Sequence, residues 1–225
     1  MTFKPLVAAL AFAILAGGAE AADPPATYGD AMRWYERAAA EGSARAQFLL
    51  GRMYEEGAAG RPRDPARAAS LYRQAAEQGH ALAQFSLGAL YLSGRGVARD
   101  PAAAAGWFAR AAEQGLREAQ FNLGYLFDRG IGVGSDRETA EKWYRAAARQ
   151  GMARAQINLA LVLVAAGPGA RDSLVEAWAW FSLAAAHGEE HARPLADDLG
   201  AKLDGDEKAR AEAALEKLKV DVPAR

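Results

Sequence analysis

The sequence repeats itself every 36 or 37 residues, and this period limits the possible folds more than any other feature. The pentapeptide AAEQG occurs at Ala75–Gly79 and again at Ala111–Gly115, 36 residues later. Glycines continue the period at Gly42, Gly79, Gly115, Gly151 and Gly188, with spacings of 37, 36, 36 and 37. Such a period predicts an array of repeated units, each burying its apolar face against the next.

Each unit has the pattern of two helices, which we call helix A and helix B. In the helix A segment ALAQFSLGALY, the residues Ala83, Leu87, Leu90 and Tyr91 follow the i, i+4, i+7, i+8 spacing of one helical face. Helix B carries a pair of aromatic or apolar residues: Trp34-Tyr35, Leu71-Tyr72, Trp107-Phe108, Trp143-Tyr144 or Trp180-Phe181. Abundant alanine and arginine, with few β-branched residues, favour helix throughout.

Side chains at both ends of helix B predict where it begins and ends. Seven residues before each aromatic pair lies a candidate N-cap: Thr27, Asp64, Asp100, Asp136 or Ser173. Pro65 and Pro101 suit the first helical position, and Ser173 with Glu176 predicts a capping box. The five periodic glycines are expected to end helix B in the left-handed conformation.

Small residues predict close packing between helices. Gly51, Gly88 and Gly124 fall in the middle of helix A, where glycine is less stable than alanine by roughly 1 kcal/mol. Its recurrence predicts that a neighbouring helix passes too close for a Cβ. The aromatic residues, including the tryptophans, are expected to form a core shared between successive units.

These motifs resemble the Sel1-like repeat, a relative of the tetratricopeptide repeat. The resemblance rests on AQF and LG in helix A, on GRGV and GIGV in the loops, and on the aromatic pair and Gln-Gly step in helix B. Its units are residues 43–79, 80–115, 116–151 and 152–188. Residues 27–42 supply only the N-terminal helix of an incomplete repeat, and Ala160 and Leu163 depart from the motif. The resemblance implies an all-α, right-handed superhelical solenoid of paired antiparallel helices.

A C-terminal cap is predicted for residues 189–219, followed by a tail at 220–225. Asp204 and Glu207 predict a capping box that opens a helix. This helix is more polar than the others, as expected for the terminal cap of a solenoid. Its apolar face comprises Ala211, Leu215 and Leu218.

The first 21 residues have the pattern of a secretory signal peptide. Lys4 precedes an eleven-residue apolar run from Leu6 to Ala16, and Ala19 and Ala21 predict cleavage after Ala21. The run is shorter than the roughly 20 residues that span a bilayer, with an uncleaved anchor as the alternative. The prediction is therefore a short linker at residues 22–26 and a periplasmic or secreted bacterial protein without stable membrane insertion.

The residues indicate no catalytic, metal or cofactor site. His187 and His191 lie four apart, but Gly188 is expected to end the helix between them, and the His-Glu-x-x-His order is missing. The chain has no cysteine and no Gly-x-Ser-x-Gly elbow. A net charge of -1 gives no argument for nucleic acid. The helix B arginines are expected to form a solvated face: Arg37, Arg73, Arg110 and Arg145.

The remaining candidate is a surface for a protein or peptide partner. Helix A lines the concave side in tetratricopeptide relatives, so the resemblance implies that its outward, variable positions bind the partner. These are Arg45, Leu49, Arg52, Leu82, Ser86, Ala89, Glu118, Asn122, Tyr125, Asp128, Arg154, Asn158 and Leu161. Asn122 and Asn158 fall where tetratricopeptide domains often place an asparagine that binds a peptide backbone or carboxylate. Equally, they can satisfy neighbours in the helix.

The sequence thus predicts an exported, monomeric, non-catalytic scaffold or adaptor that needs no cofactor. Two alternatives stay open. One is a cell-envelope enzyme or peptidoglycan-related binder, because some exported Sel1-like proteins are linked to penicillin binding, although those are typically cysteine-bridged. The other is a structural component of a secretion or polysaccharide-export complex.

Overall fold

The computed structural model describes residues 28–57, 62–165 and 170–222, with side chains from Met32 onward. Within these ranges the chain forms eleven helices and no strand. They are α1 Tyr28–Ala40, α2 Ala44–Glu56, α3 Pro65–Glu77, α4 Ala81–Ser93, α5 Pro101–Glu113, α6 Arg117–Arg129, α7 Arg137–Arg149, α8 Ala153–Val164, α9 Arg171–Ala186, α10 Ala192–Gly200 and α11 Gly205–Asp221. Each helix from α1 to α9 packs on the next along the chain, which confirms the predicted all-α solenoid. The A helices are α2, α4, α6 and α8, and the predicted signal peptide lies outside the described residues.

Aspartate caps start three of the B helices, as predicted. The Asp64 carboxylate accepts a hydrogen bond from the amide of Arg67 at 2.9 Å, and Asp100 accepts from Ala103 at 2.9 Å. Asp136 accepts in the same way from the amide of Thr139 at 3.2 Å. The first-turn amides, which have no partner within a helix, are thereby satisfied. The candidate cap Thr27 lies outside the described residues.

The predicted capping box at Ser173 is wrong. Helix α9 begins at Arg171, so Ser173 lies inside its first turn, and the preceding Ala170 makes no side-chain cap. Arg171 pairs with Glu207 in α11, and Asp172 pairs with Arg210 in α11, so both residues before Ser173 have a tertiary partner. Glu176, freed from the helix terminus, accepts a hydrogen bond from the indole N–H of Trp180 at 3.0 Å.

The mid-helix glycines of the A helices accommodate an aromatic ring of the following B helix. A Cβ on Gly51 would lie 2.8 Å from the ring of Tyr72, and one on Gly88 would lie 2.8 Å from Phe108. At Gly124 the Cβ would lie 2.9 Å from the ring of Tyr144. Such distances are below van der Waals contact, so the predicted close approach is confirmed, with a ring as the nearest contact. At the other end of the B helices, the glycines have the predicted positive φ, between 79° and 96°.

Fewer aromatic side chains are buried in the core than predicted. The second member of each pair is buried: Tyr35, Tyr72, Phe108, Tyr144 and Phe181. Among the tryptophans, Trp180 alone is buried, whereas Trp34, Trp107, Trp143 and Trp178 are half-buried. The prediction that all five rings are core is therefore wrong. Trp34, Trp107 and Trp143 are the first members of their pairs and point about 100° away from the buried second ring, whereas in the last pair both members are buried.

A ladder of glutamines connects three successive helices at each step of the array. The buried Gln84 of α4 donates to the carbonyl oxygen of Ala76 in α3 at 3.1 Å. Its own carbonyl oxygen accepts a hydrogen bond from Gln114 at the end of α5, at 2.7 Å. Gln47 with Gln78, and Gln120 with Gln150, repeat this arrangement at 2.7 and 2.8 Å. We call these bonds the glutamine ladder.

The fourth step of the glutamine ladder differs from the others. Gln156 donates to the carbonyl oxygen of Ala148 at 3.3 Å, but His187 occupies the place of the second glutamine. The Nδ1 atom of His187 lies 3.3 Å from Nε2 of Gln156, so it is the amide nitrogen that meets the ring. The buried Oε1 of Gln156 consequently has no hydrogen-bond partner among the described residues.

The C-terminal helix is attached through the predicted capping box, which is confirmed. Asp204 accepts from the amide of Glu207 at 2.9 Å, and the Glu207 carboxylate accepts from the amide of Asp204 at 2.9 Å. Glu207 also accepts from Nε of Arg171 in α9 at 2.6 Å. Helix α11 packs on α9, so this carboxylate fixes both the helix start and its docking site.

Substitutions of glycine test the contact between ring and helix. We expect Gly88→Ala to lower the free energy of unfolding by about 1–3 kcal/mol, because the methyl group displaces Phe108. Gly106→Ala is the matched control, since nothing lies within 4 Å of its Cβ position in α5. It should raise stability by about 0.5–1 kcal/mol. Urea unfolding measures both values, and equal effects would contradict the packing model.

We expect the larger Gly124→Leu change to unfold or aggregate the chain.

Replacing His187 tests the glutamine ladder. His187→Gln supplies the donor that Oε1 of Gln156 lacks, so stability at pH 7 should rise by about 0.5–1.5 kcal/mol. Burial lowers the pKa of His187, so the folded state binds its proton less readily than the unfolded state. Stability should therefore decrease as the pH falls from about 6.5 through that lowered pKa.

The difference between wild type and His187→Gln isolates this titration, because both chains retain His80. Urea midpoints from pH 8 to pH 5 should diverge as the pH falls. Parallel curves would mean that His187 takes no part in the pH dependence.

Candidate partner-binding face on the A helices

The outward positions of the A helices form one accessible face. They are the second, sixth and ninth residues of each helix, which the 3.6-residue turn brings to the same side. The third, fourth, seventh and tenth residues point inward, as Ala83, Gln84, Leu87 and Leu90 do in α4. We call the outward set the A face: Arg45, Leu49, Arg52, Leu82, Ser86, Ala89, Glu118, Asn122, Tyr125, Arg154, Asn158 and Leu161. None of them is buried, and neither is Asp128, the further predicted residue at the end of α6.

Large apolar side chains are exposed on this face. Leu82 is 46% exposed, Tyr125 38% and Leu161 48%. In the described part of the chain, the other exposed large hydrophobic residues are Leu195 and Val220, both in the C-terminal helices. Leu49 is less available, because it packs partly against the core. Three successive A helices thus each present one apolar side chain to the solvent.

Three charged residues of this region, Arg52, Glu118 and Asp128, are paired within their own helix. Arg52 donates to Glu56 at 2.7 Å, and Glu118 accepts from Arg117 at 2.9 Å. Asp128 lies 3.5 Å from Arg129, whose guanidinium is 5.9 Å from the centre of the Tyr125 ring. Exposed pairs of this kind contribute little to stability, but they reduce the net field of the surface. These three paired charges are therefore weak anchors for a partner.

A pocket of about 370 Å³ lies between the ends of α6 and α8. It brings together three of the predicted residues, Asp128, Asn158 and Leu161. Arg137 forms another wall and donates to the carbonyl oxygens of Val162 and, at 2.8 Å, Ala165. These bonds satisfy carbonyls at the end of α8 and hold the guanidinium in place.

Sequence reasoning missed two residues of this region. The sequence pattern does not indicate Arg137, because this residue caps α8 through a contact with residues more than twenty positions away in the chain. Tyr144 was assigned to the core, where its ring does lie, but its hydroxyl group is buried beside the pocket. The signal that could have found it is the alternation of Tyr72, Phe108 and Tyr144 at one position of helix B.

The remaining polar candidates do not converge on a site. Gly188 has a φ of 96° and separates His187, which meets Gln156, from His191, which lies 3.4 Å from Glu189. No group of three or more metal-ligating side chains occurs within the described ranges. The solvated-face assignment is wrong for Arg145, which is half-buried because it pairs with both Glu141 and Glu176. The other three helix B arginines, Arg37, Arg73 and Arg110, are exposed.

Comparison with known families identifies the repeat. The family model described as Sel1 repeat matches five times, at residues 10–43, 44–80, 81–116, 117–152 and 153–189. The chain belongs to the Sel1 repeat family. The first Sel1 match begins inside the predicted signal peptide, and its N-terminal part lies outside the described residues.

Two solved structures share this fold and about a third of the sequence. One is c5321, a protective antigen present in uropathogenic Escherichia coli strains that displays an SLR fold, with 32% identity and a TM-score of 0.73. The match covers 85% of this chain and 41% of that protein, so this chain spans less than half of its length. The other is a Sel1 repeat protein from Oxalobacter formigenes, with 31% identity, a TM-score of 0.71 and coverage of 87% and 81%. Among curated proteins, none matches the chain.

Membership of the Sel1 repeat family places the chain in a class of helical scaffolds. Sel1 and tetratricopeptide-like repeats typically mediate interactions between proteins, and Sel1 repeat proteins are generally non-catalytic. Across the described residues, every helix is too short or too polar to span a membrane. The family therefore supports a binding surface as the functional part of the molecule.

Paired leucine substitutions test which side of helix A faces the solvent. Leu161→Ala and Leu82→Ala should change the free energy of unfolding by no more than about 0.5 kcal/mol. Leu159→Ala and Leu87→Ala, at fully buried positions of the same two helices, should each cost about 2–5 kcal/mol. Thermal and urea unfolding of the four variants provide the comparison. A large loss from either exposed position would show that the A face is part of the core.

Proposed function

We propose that this protein is an exported, non-catalytic adaptor that binds a protein or peptide partner on the A face. The observation that carries the proposal is that three successive A helices each expose one large apolar residue, Leu82, Tyr125 or Leu161. Exposed apolar groups on a rigid scaffold are typical anchors for a protein partner. The polar residues between them, Ser86, Asn122 and Asn158, supply hydrogen bonds that fix its register.

The spacing of these anchors favours a polymeric partner over a small molecule. Leu82 belongs to α4 and Leu161 to α8, so one ligand that contacts both must extend across three units. A peptide or a protein surface has this length, whereas a small metabolite does not reach from α4 to α8. The rigid helices limit the entropy lost on binding, because the anchors are already held apart at fixed distances.

Export is part of the proposal and rests on the signal-peptide pattern of residues 1–21. The chain has no cysteine, so a core held by apolar packing and by the glutamine ladder must suffice outside the cytoplasm. The partner is accordingly proposed to be another protein of the cell envelope or one that passes through it.

A photocrosslinking experiment tests the A face. The crosslinking amino acid p-benzoylphenylalanine replaces Tyr125 in the full chain, and envelope fractions are irradiated and analysed by mass spectrometry. We expect one or a few specific adducts, which excess wild-type protein should suppress. Excess of the combined Asn122→Ala and Tyr125→Ala variant should fail to suppress them. The intact mass of the uncrosslinked protein in that fraction reports whether residues 1–21 have been removed.

The other two exposed apolar positions provide matched controls. Crosslinkers at Leu195 and Val220, which lie in α10 and α11, should give different adducts or none. Suppression by the double variant as effective as that by wild type would refute the assignment of the A face. An unprocessed chain that stays in the cytoplasm would refute export.

A further inference from the structure

Tyr144 corresponds to Tyr72 of an earlier unit, and the comparison shows that the Tyr144 hydroxyl lacks a carboxylate acceptor. At the same place in the first complete unit, the Tyr72 hydroxyl donates to Glu55 at 2.8 Å. In the second unit this place is taken by Phe108, which has no hydroxyl. Tyr144 is 0% exposed, yet its hydroxyl has no hydrogen-bond partner among the described residues. An unpaired buried hydroxyl costs free energy, so this one calls for an explanation.

The residue that corresponds to Glu55 explains the unpaired group. Asp128 is the twelfth residue of α6, as Glu55 is of α2, but its side chain is one methylene shorter. It therefore forms no hydrogen bond to Tyr144, although it is close enough to raise the pKa of this phenol, together with the larger effect of burial. Asp128 lines the pocket between α6 and α8.

Asn158 connects the hydroxyl group to this pocket. It lies beside the phenol oxygen, where it acts to lower the pKa of Tyr144 against the larger effect of burial, and it also lines the pocket. Asn122 occupies the same position in α6, but the preceding B helix carries Phe108 in place of a tyrosine. Of these two asparagines, which have the same helical register, Asn158 alone has both a tyrosine hydroxyl and a pocket.

We propose that this pocket binds a neutral amide group, such as the side chain of a glutamine or asparagine in the bound partner. On binding, the Tyr144 hydroxyl oxygen accepts from one N–H of the Asn158 amide and thereby orients it. The second N–H of this amide donates to the carbonyl oxygen of the ligand, and the Asp128 carboxylate accepts from the ligand's N–H group. The inference deepens the proposed function, because it gives the chemistry of one anchor on the A face.

The charges of the pocket favour an amide over a carboxylate or an ammonium group. Asp128 repels a carboxylate, and it needs a donor that an ionised acid does not have. An ammonium group meets two guanidinium groups, those of Arg129 and Arg137. Arg137 already donates to two carbonyl oxygens of α8, so its capacity for a further anion is reduced. An amide both donates and accepts without net charge, and Leu161 and Val162 provide an apolar wall for its aliphatic stem.

Three fragments of similar shape test the proposal without knowledge of the partner. Propionamide, propionate and propylammonium are titrated into the full chain, and the side-chain amide signals of Asn158 and Asn122 are followed by NMR. A five-atom fragment can bind with a Kd on the order of 10 mM. We expect saturable shifts of Asn158 with propionamide, small shifts of Asn122, and at least about fivefold weaker binding of both charged fragments, the loss of one hydrogen bond.

Two variants make the test more specific. Each introduces a residue that another unit of this chain already has at the corresponding position. Tyr144→Phe copies Phe108 and should keep or raise the melting temperature, but it should weaken propionamide binding about fivefold. Asp128→Glu copies Glu55, so it should satisfy the hydroxyl, raise the melting temperature by about 2–4 °C and abolish fragment binding. Tyr72→Phe is the control outside the pocket and should lower the melting temperature while propionamide binding stays unchanged.

Three results would overturn the inference. Tighter binding of propionate would make the pocket an anion site, and equal shifts of Asn122 and Asn158 would mean non-specific contact. Unchanged propionamide binding by Tyr144→Phe would show that the hydroxyl does not orient Asn158. The fragment test is independent of the crosslinking test, because it needs no partner protein. Either proposal can therefore fail while the other stands.

Discussion

The glutamine ladder is the interaction on which the regularity of this array depends. A buried amide must find partners for its donors and its acceptor, because a buried polar group without a partner costs free energy. Gln84 finds them in the preceding B helix and in the following one, so a single side chain fixes the positions of three helices. Apolar packing alone tolerates small shifts between helices, whereas hydrogen bonds of 2.7–3.1 Å do not.

Because the inner residues of helix A make the packing contacts, the residues of the A face can differ between units. Alanine, glutamine and leucine at the third, fourth and seventh positions of helix A are buried in all four units, and glycine at the eighth position recurs in the first three. The second, sixth and ninth residues make no such contact, so they differ between copies: Leu82 in α4 corresponds to Glu118 in α6 and Arg154 in α8. The same scaffold can thus present different chemistry in each unit without loss of packing.

Much of the fold was predictable because its determinants are local in sequence. The caps at Asp64, Asp100 and Asp136, the left-handed glycines and the Asp204 capping box each act within a few residues. Ser173 failed because Arg171 has a partner in α11, far along the chain. The half-buried tryptophans, the glutamine ladder and the environment of Tyr144 likewise depend on contacts between helices. The A face could be assigned from variation between copies, but the pocket could not, since its walls come from α6, α7 and α8, which are far apart in sequence.

The glutamine ladder also has a consequence for how such chains change length. Each complete unit contributes two glutamines. The one in helix A donates to a carbonyl oxygen of the preceding unit, and the one at the end of helix B donates to the helix A glutamine of its own unit. A duplicated unit of 36 residues therefore contains both glutamines that the bonding pattern needs. Duplication or deletion within the first three complete units therefore keeps the glutamine bonds of these units intact. Beyond Gln156 this no longer holds, because His187 does not donate to its carbonyl oxygen. Units can therefore be added within the first three, whereas the last unit, in which His187 replaces the second glutamine, does not continue the glutamine ladder.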